Sequence, residues 1–324
     1  MEGEAWENVL DFLWGQRARR WAIEVSNFNS VSRVSKTLNV VARRHFFRRL
    51  YVNELLPTQK MRTRDMLWTM VERPEVHLSV KFLSLAGFSA LDDALFMRIS
   101  RRIQPTIKEL SLASCRRITN TSAFRIGERY RCLSHLSFEN CSKLSTVGVA
   151  SAVERSKRTL SSLNVSGIAL GDRFLRLSLP TLQSLREFKA NRCGIDDIML
   201  ATIALAELEH LELLYLGGNA ITTDGVISAF EARKGPRSLS RLISIDLSNN
   251  QHVTDEALVC VAQACKRIAH VNLSQTPITH SSLHVLTQTA ACLASLDIRY
   301  CPNVDSTHAS ALTFIAPWIP RVIR

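Results

Sequence analysis

The feature that most constrains this chain is that it repeats itself. A nine-position pattern, apolar at positions 1, 4 and 6 and carrying Cys, Asn, Thr or an apolar residue at position 9, recurs nine times. It runs Val80, Leu83, Leu85, Phe88, then Ile107, Leu110, Leu112, Cys115, then Leu133, Leu136, Phe138, Cys141. Leu160, Leu163, Val165, Ile168 follow, with Leu185, Phe188, Ala190, Cys193 and Leu211, Leu214, Leu216, Asn219. Leu242, Ile245, Leu247, Asn250, then Ile268, Val271, Leu273, Thr276 and Leu293, Leu296, Ile298, Cys301 complete the set. Successive starts lie 27, 26, 27, 25, 26, 31, 26 and 25 residues apart, a period that marks a stacked-repeat architecture. The one long spacing holds Arg233-Lys234-Gly235-Pro236-Arg237-Ser238, a turn-rich basic insertion.

Each unit has two halves. Positions 4 and 6 share a face with position 5 opposite, which is strand periodicity. Beyond position 9 come Ile118-Thr119-Asn120, Ile221-Thr222-Thr223-Asp224, Val253-Thr254-Asp255 and Ile278-Thr279-His280, where Thr and Asp can cap a helix. Leu258, Val261, Cys265 and Leu283, Leu286, Ala290, Leu293 then recur at helical spacing. A lone strand-turn-helix unit buries too few apolar side chains to offset its chain entropy, so units must stack. The pattern predicts an α/β solenoid shaped as a horseshoe, with parallel strands on the concave side and helices on the convex side. Nine strands ~4.8 Å apart span roughly 40 Å, the size of a protein surface and not of a metabolite pocket.

Composition narrows the function. Hydrophobic residues make up 46% of the 324, which excludes disorder of the whole chain. The longest apolar run, Ile198 to Ala206, is far shorter than the ~20 residues needed to span a bilayer. The chain begins Met-Glu-Gly-Glu-Ala-Trp-Glu, acidic where a leader would be basic, so an intracellular protein, cytoplasmic or nuclear, is expected. Eight cysteines fall between Cys115 and Cys301; several occupy one repeat position and none forms a CxxC pair, so reduced packing thiols are expected. No phosphate-binding glycine loop, nucleophile elbow or HExxH is present, and neither enzyme activity, a cofactor nor a metal is expected. Between Arg98 and Arg131, nine Lys and Arg face only Glu109 and Glu128, within a net charge of +12. That stretch is either a solvated flank or a surface for an acidic protein or nucleic acid.

The units resemble the cysteine-containing class of leucine-rich repeats, over residues 80 to about 306. Cys115, Cys141, Cys193 and Cys301 stand at the consensus cysteine; Phe88, Ile168, Asn219, Asn250 and Thr276 depart from it. Residues 1–55 show no repeat. Trp6, Val9, Leu10 and Leu13, and then Val31, Val34, Leu38 and Val41, recur at helical spacing, with too little apolar bulk for a core of their own. This segment resembles an F-box, the helical module that docks a receptor onto the adaptor of a cullin–RING ubiquitin ligase. Trp6 to Leu13 is similar to its first helix, Ser32 to Ala42 to its central helix, and Phe46-Phe47-Arg48-Arg49-Leu50 to its closing motif. The usual Leu-Pro opening is absent, and about a dozen extra residues separate Leu13 from Val31. A plain cap for the open end of the solenoid is the other reading of the same helices. Residues 56–79 form a linker or amino-terminal cap and 307–324 a carboxy-terminal cap.

The F-box resemblance implies the substrate-recognition subunit of a cullin–RING (SCF-type) ubiquitin ligase. Trp6, Val9, Leu10, Leu13, Val31, Val34 and Leu38 would meet a Skp-type adaptor that joins a cullin, and the concave face would hold a target protein. From the third repeat onward, positions 3, 5 and 7 offer Glu139, Lys189, Asn191, Tyr215, Asp246, Asn272, Asp297 and Arg299, with Arg192 and Tyr300 adjacent. Tyr215 beside Lys189, and Arg299 near Asp297, are the best-placed anchors. Ser84, Ala86, Ser111 and Ala113 leave the first two repeats bare, which directs binding toward the middle and carboxyl end. The alternatives are a scaffold subunit of a cytoskeletal or ribonucleoprotein assembly without ubiquitin chemistry, and direct RNA binding through the basic stretch.

Overall fold

The computed structural model describes residues 49–51, 80–231, 238–281, 285–286, 292–304 and 321–323. Eleven parallel strands form one open sheet whose spatial order is the sequence order. They are β1 (Arg49–Tyr51), β2 (Phe82–Ser84), β3 (Glu109–Ser111), β4 (His135–Ser137), β5 (Ser162–Asn164), β6 (Glu187–Lys189), β7 (Leu213–Tyr215), β8 (Ser244–Asp246), β9 (His270–Asn272), β10 (Ser295–Asp297) and β11 (Arg321–Ile323). Strands β2 to β10 are positions 3 to 5 of the nine repeats, paired like with like: Leu83 lies opposite Leu110, and Leu214 opposite Ile245. The predicted α/β leucine-rich-repeat solenoid is therefore what forms.

The core runs through the stack as columns. Positions 1, 4, 6 and 9 are buried in every repeat save at Asn219, which is half-buried. Between strands lie α1 (Asp93–Arg102), α2 (Asn120–Arg129), α3 (Thr146–Val153), α4 (Asp197–Ala204), α5 (Thr223–Glu231) and α6 (Asp255–Ala264). The fourth repeat departs from the predicted strand-turn-helix unit. It carries a π-helical turn, Phe174–Ser178, and a 3-10 turn, Leu179–Thr181. Pro180 has no N–H to give the carbonyl four residues back, so an α-helix cannot run on through it.

Helix caps reach across repeats as well as within them. Asp92, Thr119 and Asp196 accept N–H bonds from their own first turns, as capping residues should. Thr254, expected as a cap, instead places its Oγ1 2.8 Å from Thr223 Oγ1 of the preceding unit. The first-turn carboxylates clamp the next unit: Asp93 accepts from the N–H and hydroxyl of Thr119, Asp197 from those of Thr222, and Asp255 from those of Thr279. Gly225 makes room for one clamp, since a Cβ there would collide with the Asp197 carboxylate.

Position 9 is a donor position. The thiols of Cys115, Cys141, Cys193 and Cys301 donate to the position-6 carbonyls of the preceding repeats, Leu85, Leu112, Val165 and Leu273, at 3.0 to 3.3 Å. Asn219 and Asn250 do the same through Nδ2, reaching Ala190 and Leu216. Their Oδ1 atoms meanwhile accept the N–H groups of Cys193 and Ile195, and of Asn219 and Ile221. Cys, Asn and Thr interchange here because each can hand a hydrogen to a buried carbonyl.

Two strands fall outside the repeat pattern. β1 lies inside the segment read as F-box-like and pairs with β2; β11 lies inside the carboxy-terminal cap and pairs with β10. The remainder of both segments, the linker 56–79 and the basic insertion at 233–237 lie outside the described residues. All eight cysteines are free thiols, with Cys132 and Cys292 exposed. Among the described residues no helix is long and apolar enough to cross a membrane.

Candidate functional site

The concave face is built from positions 3, 5, 7 and 8. Position 5 points away from the core and its side chain is half-buried in most strands, with Asp297 buried. Position 7 follows the strand, and position 8 turns the chain outward with positive φ in all nine repeats. The glycines there, Gly87, Gly167 and Gly218, adopt it freely, whereas Ser114, Asn140, Arg192, Asn249, Gln275 and Tyr300 adopt it at some cost. The strand ladder extends to this turn, because in the first eight repeats the position-8 N–H donates to the position-7 carbonyl of the next repeat, as from Arg192 to Gly217 and from Gly218 to Ser248.

Most of the concave residues expected to bind a partner are already engaged. Asp246, Asn272 and Asp297 each accept the N–H two residues on, from Ser248, Ser274 and Arg299. Asn191 accepts the N–H of Gly217, and Glu139 accepts from the Asn164 amide. Arg299 grips Asp297 through two bonds of 3.0 and 2.6 Å, so the expected pair forms within one repeat and fixes the guanidinium. Lys189 sits 2.8 Å from Glu187 and 5.0 Å from the centre of the Tyr215 ring. Burial opposes ionisation of Glu187, yet hydrogen bonds from Lys189 and Ser162 outweigh it and hold its carboxyl below the usual range. Two expected residues remain unengaged. Among the described residues the Arg192 guanidinium has no hydrogen-bond or ion-pair partner, and Tyr300 is 79% exposed.

Two hollows mark this surface. The larger, about 420 Å³, runs along the carboxyl-end rim of the strands from the third repeat to the ninth, on positions 7 and 8. Gly167, Gly217, Gly218, Ser248 and Ser274 form much of its lining, with Arg192 two repeats from the Glu139 end and Arg299 and Tyr300 at the other. The smaller, about 260 Å³, lies over the strand centres of the first five repeats and includes Phe82, Glu109, His135, Ser162 and Lys189. There Glu109 stands 3.5 Å from His135 Nδ1. The first two repeats therefore do contribute to the face, through position 3, although their positions 5 and 7 are small. Of the position-8 rim, only Arg192 and Tyr300 were expected from the sequence, as neighbours of the outward positions. Its signal was present in the run of Gly, Ser, Asn and Gln at that place, residue types suited to a left-handed turn.

The adaptor candidates Trp6, Val9, Leu10, Leu13, Val31, Val34 and Leu38 lie outside the described residues. The basic stretch does not form one patch of a single kind. Arg98, Arg101, Arg116, Arg117 and Arg131 are exposed, while Arg129 reaches back to the Ile103 carbonyl at 2.7 Å and ties off the end of α1. Among the described residues no group of three or more His, Cys, Asp or Glu could hold a metal ion.

Comparison with known proteins agrees with the repeat reading at the level of the unit. A leucine-rich-repeat family profile matches residues 207–228, which include β7 and the start of α5. No curated protein matches the sequence. Among solved structures the chain is similar to one from the yeast Rad7–Elc1 complex, at 16% identity over 95% of this chain and 90% of that one, with a TM-score of 0.48. It is also similar to an internalin of Listeria monocytogenes, at 15% identity over 84% of this chain and 77% of that one, with a TM-score of 0.45.

Proposed function

We propose that this leucine-rich-repeat solenoid is the target-recognition subunit of a cullin–RING (SCF-type) ubiquitin ligase and carries out no bond chemistry of its own. The observation that carries the binding half of the proposal is the concave rim. A groove crosses seven repeats, and it is flanked by preset anchors, Lys189 stacked on Tyr215 and Arg299 locked to Asp297. Side chains held in place before binding lose little entropy on contact, which suits a face that must hold a protein. The ligase half is supported by the F-box-like residues of the amino-terminal segment. The closing residues of that segment, Arg49 and Leu50, begin the sheet as β1. Trp6, Val9, Leu10, Leu13, Val31, Val34 and Leu38 would bury apolar surface against a Skp-type adaptor, and the adaptor would bring the cullin.

The test is co-purification of the tagged full chain. A Skp-type adaptor and a cullin should accompany it in stoichiometric amount, and a Val34→Asp/Leu38→Asp double substitution should release them while the repeats stay folded. Absence of both from the wild-type preparation would eliminate the ligase reading. The exposed arginines between Arg98 and Arg131 favour a second reading, a scaffold subunit within a cytoskeletal or ribonucleoprotein assembly. Under it the preparation would carry other stoichiometric partners, and the double substitution would leave them bound. Direct RNA binding would show as retention that falls steeply between two salt concentrations.

A further inference from the structure

We infer that the rim groove is a peptide channel that takes an extended, acidic segment of the target, with a carboxylate of that segment seated on Arg192. The inference deepens the receptor reading and rests on it. Three observations converge on it.

The first is shape. The groove crosses the strands from the third repeat to the ninth. Six steps of ~4.8 Å give about 29 Å, and an extended chain rising ~3.3 Å per residue fills that with about nine residues. Glycine and serine along it leave a peptide backbone free to approach closely.

The second is charge. Lys189 is neutralised by Glu187, and Arg299 by Asp297. Arg192 lies in the groove two repeats from its Glu139 end, is exposed, and has no hydrogen-bond or ion-pair partner among the described residues. Its stem lies against Gly218, where an added Cβ would come within 2.9 Å of Arg192 Cγ. The guanidinium thus rises from a stem laid across the floor and presents its fork to whatever enters. A planar fork of N–H donors fits a carboxylate through two parallel bonds.

The third is what the groove does not offer. The position-7 N–H groups of Ser166, Asn191, Gly217, Ser248, Ser274 and Arg299 are all occupied by side-chain oxygens. No new strand can therefore pair with this rim, and recognition must come from side chains such as Arg192 and the exposed amides of Asn140, Asn249 and Gln275. A nucleic acid would need several free cations in a row. Among the described residues this groove presents one, with Glu139 at the third-repeat end, so the ligand is a peptide.

The test uses the full chain, immobilised, against a phage-displayed library of random nine-residue peptides. Binders should share an Asp or Glu at one fixed place. As a synthetic peptide, the strongest of them should lose affinity at least ~10-fold, by fluorescence anisotropy, to the Arg192→Ala protein. The same selection on Arg192→Glu should return Lys or Arg at that place, a reversal that a merely structural arginine would not produce. The inference is overturned if no peptide is enriched, if the enriched peptides carry no acidic residue, or if they bind Arg192→Glu as well as wild type. Adaptor co-purification of Arg192→Glu keeps the two readings apart. If adaptor and cullin still accompany a protein that fails the peptide test, the target docks elsewhere on a genuine receptor.

Discussion

Replacing Asn250 with alanine should unfold the middle of the solenoid more effectively than any conservative change on its surface. Asn250 is fully buried and makes bonds in two directions. Its Nδ2 donates to the carbonyls of Leu247 and Leu216 at 2.9 and 3.1 Å, and its Oδ1 accepts from the N–H groups of Asn219 and Ile221 at 3.1 and 3.4 Å. The Leu216 carbonyl keeps a second donor, Asn219 Nδ2. Alanine would therefore strand the Leu247 carbonyl and the Ile221 amide hydrogen in the interior and the Asn219 amide hydrogen at its half-buried margin. At about 1–2 kcal/mol for each stranded group after local relaxation, the loss is about 3–6 kcal/mol. That is a large share of the ~5–15 kcal/mol that holds an ordinary domain together. Its neighbour provides the control. Asn249 is exposed, and its Oδ1 accepts only a 3.3 Å bond from Gln251, so Asn249→Ala should cost no more than about 1 kcal/mol, mostly for placing alanine at φ 53°. Urea unfolding of both variants measures the difference, and deuterium exchange should show protection lost first at Asn219 and Ile221. Equal midpoints for the two variants, or a loss below about 1 kcal/mol at Asn250, would refute the view that position 9 holds the repeats together as a donor column.

Other outcomes follow from the same contacts. Gly225→Ala drives a methyl into Asp197 and breaks its clamp on Thr222, so it should lower stability by about 2–3 kcal/mol in the same urea assay, and a neutral result would contradict the clamp. Burial opposes ionisation of Asp93, yet hydrogen bonds from Ser122 and Thr119 outweigh it and depress its carboxyl. Asp93 and Glu187 both have folded values below their ordinary 3.8 and 4.5, so their stabilisation is complete above those values and is lost as pH falls through the lower folded ones. The stability gap between wild type and Asp93→Asn should accordingly be widest near neutrality and close in acid; a gap that widens below pH 4 would reverse the sign of the argument. Burial pushes the thiols of Cys141 and Cys265 up to about 12 and that of Cys193 to about 11. Iodoacetamide at pH 8 should therefore add two groups to the folded protein, at Cys132 and Cys292, and eight in urea, as read by mass spectrometry; rapid native labelling at Cys141 would disprove the packing.

The strands were legible because their signal is physical and repeated. A buried leucine every second residue, spaced by 25 to 31, admits one stacking, and Leu83, Leu110 and Leu136 fall into register as that spacing requires. What a position does for its neighbours was harder to see. Asp246, Asn272 and Asp297 look like free polar residues on a wet face, but position 7 leaves an N–H that an Asx side chain two residues back is placed to take. The identity of a residue does not say whether its oxygen is engaged. The strands β1 and β11 carry no repeat motif and are drawn into the sheet by the exposed edges of β2 and β10, which three-residue segments can cover. Arg192 and Tyr300 were named only as neighbours of the outward positions. Their placement depends on the left-handed turn at position 8, which the sequence signals by its Gly and Asn content and not by these two side chains.

The concave wall, and not the helical side, should meet the partner. A photo-crosslinking amino acid placed at Lys189 or at Tyr215, in the tagged chain expressed in cells, should capture one and the same protein from both positions. The same label at Ile198, 67% exposed on α4, should capture none of it. An adduct from Ile198 with silence at Lys189 and Tyr215 would place recognition on the opposite side of the solenoid and contradict the account.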